Sequence, residues 1–370
     1  MVLIFADRKI LGLHGASTEL RASRKQRRYM GFPVTVVLGA SGRIGTVLRH
    51  CWPQSPPASQ IPAPIPAQIP PRICWQSRRP LQALSRSQPA PAQTCLLDPL
   101  AEPQRLTQLL GGTERVLCLA GSIPGRSADL QDNSRLACAA VQAAARAAEL
   151  SGGGVARVLL TSSAAVYGNQ PGLLSEDSPL TPANAYGAAK VEMERRARDL
   201  GQQLGVPVTA LRIGNIAGLD AILGGWQPGF CLDQFADGRS PRRSYIGPQT
   251  LARILAALVA APALPAALNL AQPGPLEMAA LLRAADLPFA WRPAPPAAIA
   301  EVELDLRRLQ QLLPTAAPNA PLLPPADAPQ MLAEWSNIEP VLTGQPRRFT
   351  DQRSPPNTTT PDTTTKEPRS

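Results

Sequence analysis

Six short apolar runs, "VTVVLG", "RICWQ", "TCLLD", "RVLCLAG", "VARVLLTSS" and "VTALRIG", alternate with longer amphipathic stretches between Val34 and Gly214. Runs without the polar/apolar alternation of a half-exposed strand suit parallel strands buried on both faces, and the stretches between them suit crossover helices. The clearest helices are "ADLQDNSRLACAAVQAAARAAEL" and "AYGAAKVEMERRARDLGQQLG". The pattern predicts an α/β fold: a Rossmann-type doubly wound parallel sheet over 31–215, with a smaller C-terminal lobe of mixed structure over 216–340.

The first run leads into a turn with three glycines, "VVLGASGRIG", and then into "TVLRHC". The order strand, tight turn, helix matters more than the glycines alone. Glycine lets a ligand approach the main chain, and a helix N-terminus offers unpaired N–H groups and partial positive charge to a phosphate. The stretch therefore reads as a site for a dinucleotide pyrophosphate. Gly152, Gly153 and Gly154 precede a strand and read as a helix stop instead.

Charge and composition remove several alternatives. The formal net charge is +10, but residues 1–30 carry seven basic against two acidic side chains, and residues 345–370 carry five against three. The body between is nearly balanced, which argues against a nucleic-acid partner. The first 30 residues lack the basic-then-apolar order of a secretory signal and are expected to be a disordered basic arm. The tail 345–370 is expected to be disordered as well. Pro53 to Pro71 holds eight prolines and should be an extended surface excursion. Six widely spaced cysteines read as reduced core residues of a cytoplasmic protein, Cys231 among them. His14 and His50 are the only histidines, which argues against a histidine-based metal site or a Ser-His-Asp triad. No uninterrupted apolar run is long enough to span a membrane.

Downstream, Ser163 ends the fifth run, Tyr186 follows 23 residues later in "AYGAAK", and Lys190 lies four residues beyond it. Positions i and i+4 share a helix face, so tyrosine and lysine can point into one cleft at the carboxyl ends of the strands. Together with a serine at a strand end they form a proton-transfer set.

Over residues 33–315 the sequence resembles the extended short-chain dehydrogenase/reductase family, the nucleotide-sugar epimerase and dehydratase group. The resemblance implies cofactor contacts at Gly39, Ser41, Gly42, Arg43, Ile44 and Gly45 of the fingerprint, Asp98 on the adenine side, and Leu119, Ala120 and Gly121 as a cofactor wall. It adds Asn133 on the following helix to the cofactor contacts, and places a catalytic serine at Ser163 and the YxxxK pair, catalytic and cofactor-binding, at Tyr186 and Lys190. Substrate contacts fall at Asn215, in "LRIGNIAG", and at Arg243, in "RRSYIGPQTLARIL". The implied activity is hydride transfer at a carbonyl or secondary alcohol carbon of a small molecule, a nucleotide sugar among the candidates, in a chain that can act as a homodimer. A binding module that keeps the cofactor without turnover is the competing reading. Ala164 and Ala165 stand where the dehydratases of this group carry an Asp-Glu pair, which argues against dehydration. Arg78 and Arg79 follow the second run where an NAD site usually has an acid, so NADP is expected over NAD.

Overall fold

The computed structural model describes residues 32–52, 73–84, 91, 93–124, 129–313 and 321–344. The basic arm, the proline-rich excursion at 53–71 and the tail at 345–370 lie outside them.

A seven-stranded parallel sheet forms the centre. Its strands are β1 (Thr35–Leu38), β2 (Ile73–Ser77), β3 (Thr94–Leu96), β4 (Arg115–Cys118), β5 (Arg157–Ser163), β7 (Val208–Ile213) and β11 (Ala267–Leu270). They lie in the order β11-β7-β5-β4-β1-β2-β3. In register, Val36 sits opposite Cys74 on one side and Val116 on the other. Successive side chains of a strand point to opposite faces, and β1 shows what that does here. Val36 and Leu38 pack toward α3 (Asp132–Ser151) and α4 (Ala185–Leu204), with Ala140, Val141 and Ala197. Val37 packs the other way, among Leu48, Ile254 and Leu255 of α1 (Arg43–Cys51) and α5 (Pro248–Ala260). Both faces of the sheet are thus covered, and its strands carry no polar stripe. The second helix in chain order, α2 (Pro103–Leu109), precedes β4.

Local signals end the helices that matter for the site. Gly152, at φ 61°, closes α3 in the left-handed conformation, as the glycine run predicts. Asn184 opens α4, its side chain accepting from the Gly187 amide at 2.9 Å.

The sheet order reverses between β1 and β4, and the carboxyl ends of these strands face the second lobe. In that lobe β6 (Gly172–Leu174), β8 (Asn215–Ile216), β10 (Arg242–Ile246), β12 (Pro275–Glu277) and β14 (Glu301–Leu304) share one sheet, with β9 (Cys231–Gln234) and β13 (Ala290–Pro293) in a separate ladder. The lobe also contains α6 (Met278–Ala284), α7 (Arg307–Leu312) and α8 (Ala328–Thr343). The two parts interleave along the chain: β6 comes from before residue 216, and β11 of the central sheet comes from after it. Helix α8 returns to pack on α1 and α5. Its Trp335 lies so close to Gly218 that a Cβ there would stand 2.1 Å from the indole, and Gly218 also has φ +81°.

Candidate active site

The turn between β1 and α1 is held by packing that only glycine permits at two points. Gly39 has φ +83°, and a Cβ on it would lie 2.7 Å from the Ala120 nitrogen. A Cβ on Gly45 would lie 2.6 Å from the Ala40 carbonyl oxygen, so this glycine lets α1 press against the turn. Ile44 is half-buried against the core, and Arg43, the first residue of α1, donates to the Leu219 carbonyl at 2.9 Å. No side chain caps α1 at Gly42, and no acid stands in its first turn. Its leading N–H groups are therefore available to an anion.

A cleft runs along this turn. Gly39, Ser41 and Gly42 form one wall, Leu119, Ala120 and Gly121 the opposite one, and Arg78 and Asp98 the far end. Asp98 accepts from the Leu100 and Ala101 amides, and its carboxylate lies 3.9 Å from the exposed Arg78 guanidinium. Pro99, Leu100, Ser122 and Leu136 also line the cleft. The sequence reading missed these four: Pro99 and Leu100 come from the β3–α2 connection, Ser122 from the β4–α3 connection and Leu136 from α3 itself. Gln76 is a further residue it missed: its Oε1 accepts from the Gly39 amide at 2.9 Å and its Nε2 donates to the Leu97 carbonyl at 2.7 Å. A donor set of uncapped helix N–H groups and close-packed glycines, with a carboxylate and guanidinium at the far end, fits a dinucleotide.

The proton-transfer set adjoins the cleft at the end of β5. A Cβ on Gly187 would come 2.4 Å from the Ala165 carbonyl oxygen, so α4 rests directly on the 3-10 turn Ala164–Tyr167. That contact brings the Tyr186 phenol beside the Ser163 hydroxyl, which acts on it. One turn later, the Lys190 ammonium donates to the Thr161 carbonyl at 2.8 Å and lies 5.7 Å from the centre of the Tyr186 ring. A methyl group on Gly121 would approach Lys190 Nζ to 3.7 Å and Asn133 Oδ1 to 2.5 Å. Asn133 is fully buried and braces the β4 loop, donating to the Ser122 carbonyl and accepting from the Ser122 amide. Ser163, Tyr186, Lys190, Asn133 and Gly121 therefore converge.

Burial pushes the Tyr186 phenol above its ordinary value, and the Ser163 hydroxyl and the Arg43 charge pull it back. Burial also brings the Lys190 ammonium down to about 8. Its one short hydrogen bond goes to a neutral carbonyl, and the charge that acts on Tyr186 is Arg43.

Behind the set lies a buried ion pair. The Arg212 guanidinium meets the Glu194 carboxylate at 2.8 Å, both side chains being 4 % exposed. Glu194 also accepts from Ser162 Oγ, and Arg212 reaches the Tyr167 hydroxyl at 3.0 Å.

The two residues expected on the substrate side are engaged elsewhere. Asn215 lies beside the Tyr245 hydroxyl, which donates to the Asp220 carboxyl at 2.9 Å. Arg243 donates to the carbonyls of Arg242 and Ile299 at 2.7 and 3.0 Å. Neither belongs to the set around Tyr186. Cys231, expected in the core, is exposed, because it opens β9 in a ladder of only two strands. Trp226 packs in the lobe and donates to the Pro288 carbonyl. Among the described residues no three or more His, Cys, Asp or Glu side chains gather as a metal site, and no helix is long and apolar enough to cross a membrane.

Comparison with known proteins gives the fold its family. The NAD dependent epimerase/dehydratase family matches residues 35–222, from β1 into the loop beyond β8. The chain belongs to this family. A UDP-glucose 4-epimerase of Azospirillum brasilense is 41% identical over 68 residues, which is 18% of this chain and 20% of that protein. The match thus spans about a fifth of the relative's length. Among solved structures, a UDP-N-acetylglucosamine 4-epimerase from Methanobrevibacter ruminantium M1 in complex with UDP-N-acetylmuramic acid superposes with TM-score 0.60 at 16% identity. It covers 85% of this chain and all of its own. A dTDP-glucose 4,6-dehydratase from Streptomyces venezuelae, with NAD and TYD bound, does so with TM-score 0.60 at 18% identity, covering 85% of this chain and 99% of its own. An epimerase and a dehydratase thus share this fold, and the fold does not choose between them.

Proposed function

We propose that this family member is an NAD(P)-dependent epimerase or reductase working at a carbonyl or secondary alcohol carbon, with a nucleotide sugar as the substrate class. One observation carries the reading: Tyr186 stands beside Ser163 at the end of β5, with Lys190 one turn away and Gly121 of the cleft wall beside it. A module that merely retained a nucleotide has no use for this set.

The cofactor would lie along the cleft, its pyrophosphate on the leading amides of α1 between Gly39 and Gly45, its adenosine toward Asp98 and Arg78, and its nicotinamide ribose near Lys190. When bound, it supplies hydride donation and acceptance. The protein's own part is the proton. Tyr186, raised by burial, is protonated at neutral pH and stands as the acid for a substrate oxygen that Ser163 orients. In the reverse direction the phenol must ionise, and the Arg43 charge makes that easier. Lys190 would hold the ribose, and burial brings its ammonium down to about 8.

Ala164 and Ala165 follow Ser163 directly, where acid and base groups for removing water would have to stand, so dehydration is not proposed. We read the cofactor as NADP(H): β2 ends without an acid, and Ser41, Arg78 and Arg79 line one hollow at its end. The experiment is to incubate the purified chain with NAD or NADP and a panel of nucleotide sugars and simple ketones. Cofactor absorbance reports net reduction, and NMR of the sugar reports inversion. Cofactor binding without either change on any substrate favours the non-catalytic module.

A further inference from the structure

Outside the cofactor cleft, a second hollow opens on the other side of Ser41. Its lining includes Arg43, Thr46 and Arg49 along one face of α1, the Gln82 backbone after β2, and Leu342 of α8. Positions 43, 46 and 49 recur at helical spacing, so two guanidiniums and a hydroxyl point the same way.

Arg49 is the anomaly. It is 7 % exposed, yet no carboxylate among the described residues lies within ion-pair distance of it. Its guanidinium donates to neutral acceptors only, the Ala40 and Gln82 carbonyls and Thr46 Oγ1, all at 3.2–3.3 Å. Burial lowers its affinity for the proton, with no acidic neighbour to restore it. A buried cation without a counter-charge is costly, and chains rarely retain one unless an anion completes it. Arg43, at the rim, has no ion pair with an acid among the described residues and holds one carbonyl, that of Leu219.

We propose that this hollow is a binding site for a phosphate-type dianion, held by Arg49 and Arg43 together with the hydroxyls of Thr46 and Ser41. Guanidiniums suit phosphate oxygens because their donors are paired in a plane. The chemistry has two sources. One is a free phosphate or a small phosphorylated molecule entering from solvent. The other is the cofactor's own 2′-phosphate, passing Ser41 from the cleft in place of the Arg78 and Arg79 hollow. The site goes beyond the redox reading and does not depend on it, since anion uptake is measured without turnover.

Calorimetric titration of inorganic phosphate into the full chain saturated with NAD tests this, because the pyrophosphate site is then filled. The expected result is saturable uptake of one phosphate per chain, weakened at least tenfold in Arg49→Met. Thr46→Val removes one ligand without touching the cofactor cleft. It should weaken phosphate several-fold with NAD affinity unchanged, and it keeps the test open if Arg49→Met fails to fold. Repeating the titration with NADP separates the sources: uptake lost means that the 2′-phosphate occupies the hollow, and uptake kept means a separate anion. Absence of saturable uptake in the NAD-saturated protein overturns the proposal. So does uptake that survives Arg49→Met and Thr46→Val but disappears in Arg78→Ser/Arg79→Ser. Failure of turnover in every substrate assay leaves this result standing, so the two readings fail separately.

Discussion

The Lys190 ammonium, one helical turn from Tyr186, is tied to the Thr161 carbonyl at 2.8 Å and lies 5.7 Å from the centre of the Tyr186 ring. The lysine is thereby fixed beside the phenol without bonding to it, while the Ser163 hydroxyl acts on the phenol from the end of β5. Tyr186→Phe keeps the ring and its packing and removes only the proton. Turnover should fall by roughly 10²-fold or more, the scale of general acid–base catalysis, with cofactor affinity little changed. Steady-state kinetics beside cofactor titration checks both. Full activity in the variant would refute the assignment.

Arg43 lowers the Tyr186 phenol by its charge. Arg43→Gln removes that cation, so ionisation of the phenol should require a higher pH. The pH profile for alcohol oxidation, which needs the phenolate, should move its acidic limb upward relative to the unmodified enzyme. A profile unmoved by the substitution would show that the guanidinium does not act on Tyr186.

Lys190 is kept at a cost in stability. Burial takes its ammonium from 10.5 to about 8, so between those values the unfolded chain binds the proton more readily than the folded one. Stability linked to this group therefore rises with pH across the window, and the penalty is fully present below pH 8. Its ceiling is about 3 kcal/mol at 1.36 kcal/mol per pKa unit, reduced by the lost bond to Thr161. Lys190→Met should raise the melting temperature at pH 7 by a few degrees while turnover is lost, and the gain should shrink between pH 8 and 10. A gain independent of pH would show that charge is not its source.

Glu194 and Arg212 form the opposite case, a buried pair in which each charge depends on the other. Glu194→Ala leaves the guanidinium of Arg212 buried and removes the acceptor of Ser162. A loss of roughly 3–5 kcal/mol is expected in denaturant unfolding. Replacing both by Met and Leu should recover much of it. A single substitution without measurable loss would mean that water replaces the carboxylate.

What could be read in advance was what local spacing determines. The glycine turn follows from one strand-to-helix junction, and Tyr186 and Lys190 meet because four residues of helix bring them together. Ser163 joins them through sheet order, which the apolar runs already implied. Contacts set by register between distant segments left no such mark. Gln76 reaches the Gly39 amide only because β1 and β2 pair with Leu38 opposite Gln76. Nothing in the sequence marks Glu194 as the partner of Arg212, a pairing that forms only when α4 lies on β7. The surroundings of Arg243 are equally hidden in its motif: β14 pairs alongside β10, and the Ile299 carbonyl takes one of its donors.

The end of β2 makes a specific claim about the cofactor. Selectivity for NAD needs an acceptor for the ribose hydroxyls there, and a carboxylate in that place repels a 2′-phosphate. Here Gln76 is used up between Gly39 and Leu97, the Ser77 hydroxyl donates to the Arg79 carbonyl, and the next two side chains are guanidiniums. Arg78 has only a loose contact with Asp98 at 3.9 Å, and its side chain is 74% exposed, so it is free to turn toward a phosphate. A charge-assisted bond from an arginine contributes roughly 1.5–3 kcal/mol, about ten- to a hundredfold in affinity. Fluorescence or calorimetric titration should therefore find NADP bound at least tenfold more tightly than NAD, with the difference falling as salt is raised. Arg78→Ser/Arg79→Ser should abolish the preference by weakening NADP alone, while NAD affinity stays within a factor of two. Equal affinities in the unmodified protein would place both arginines in solvent and return the choice of cofactor to NAD.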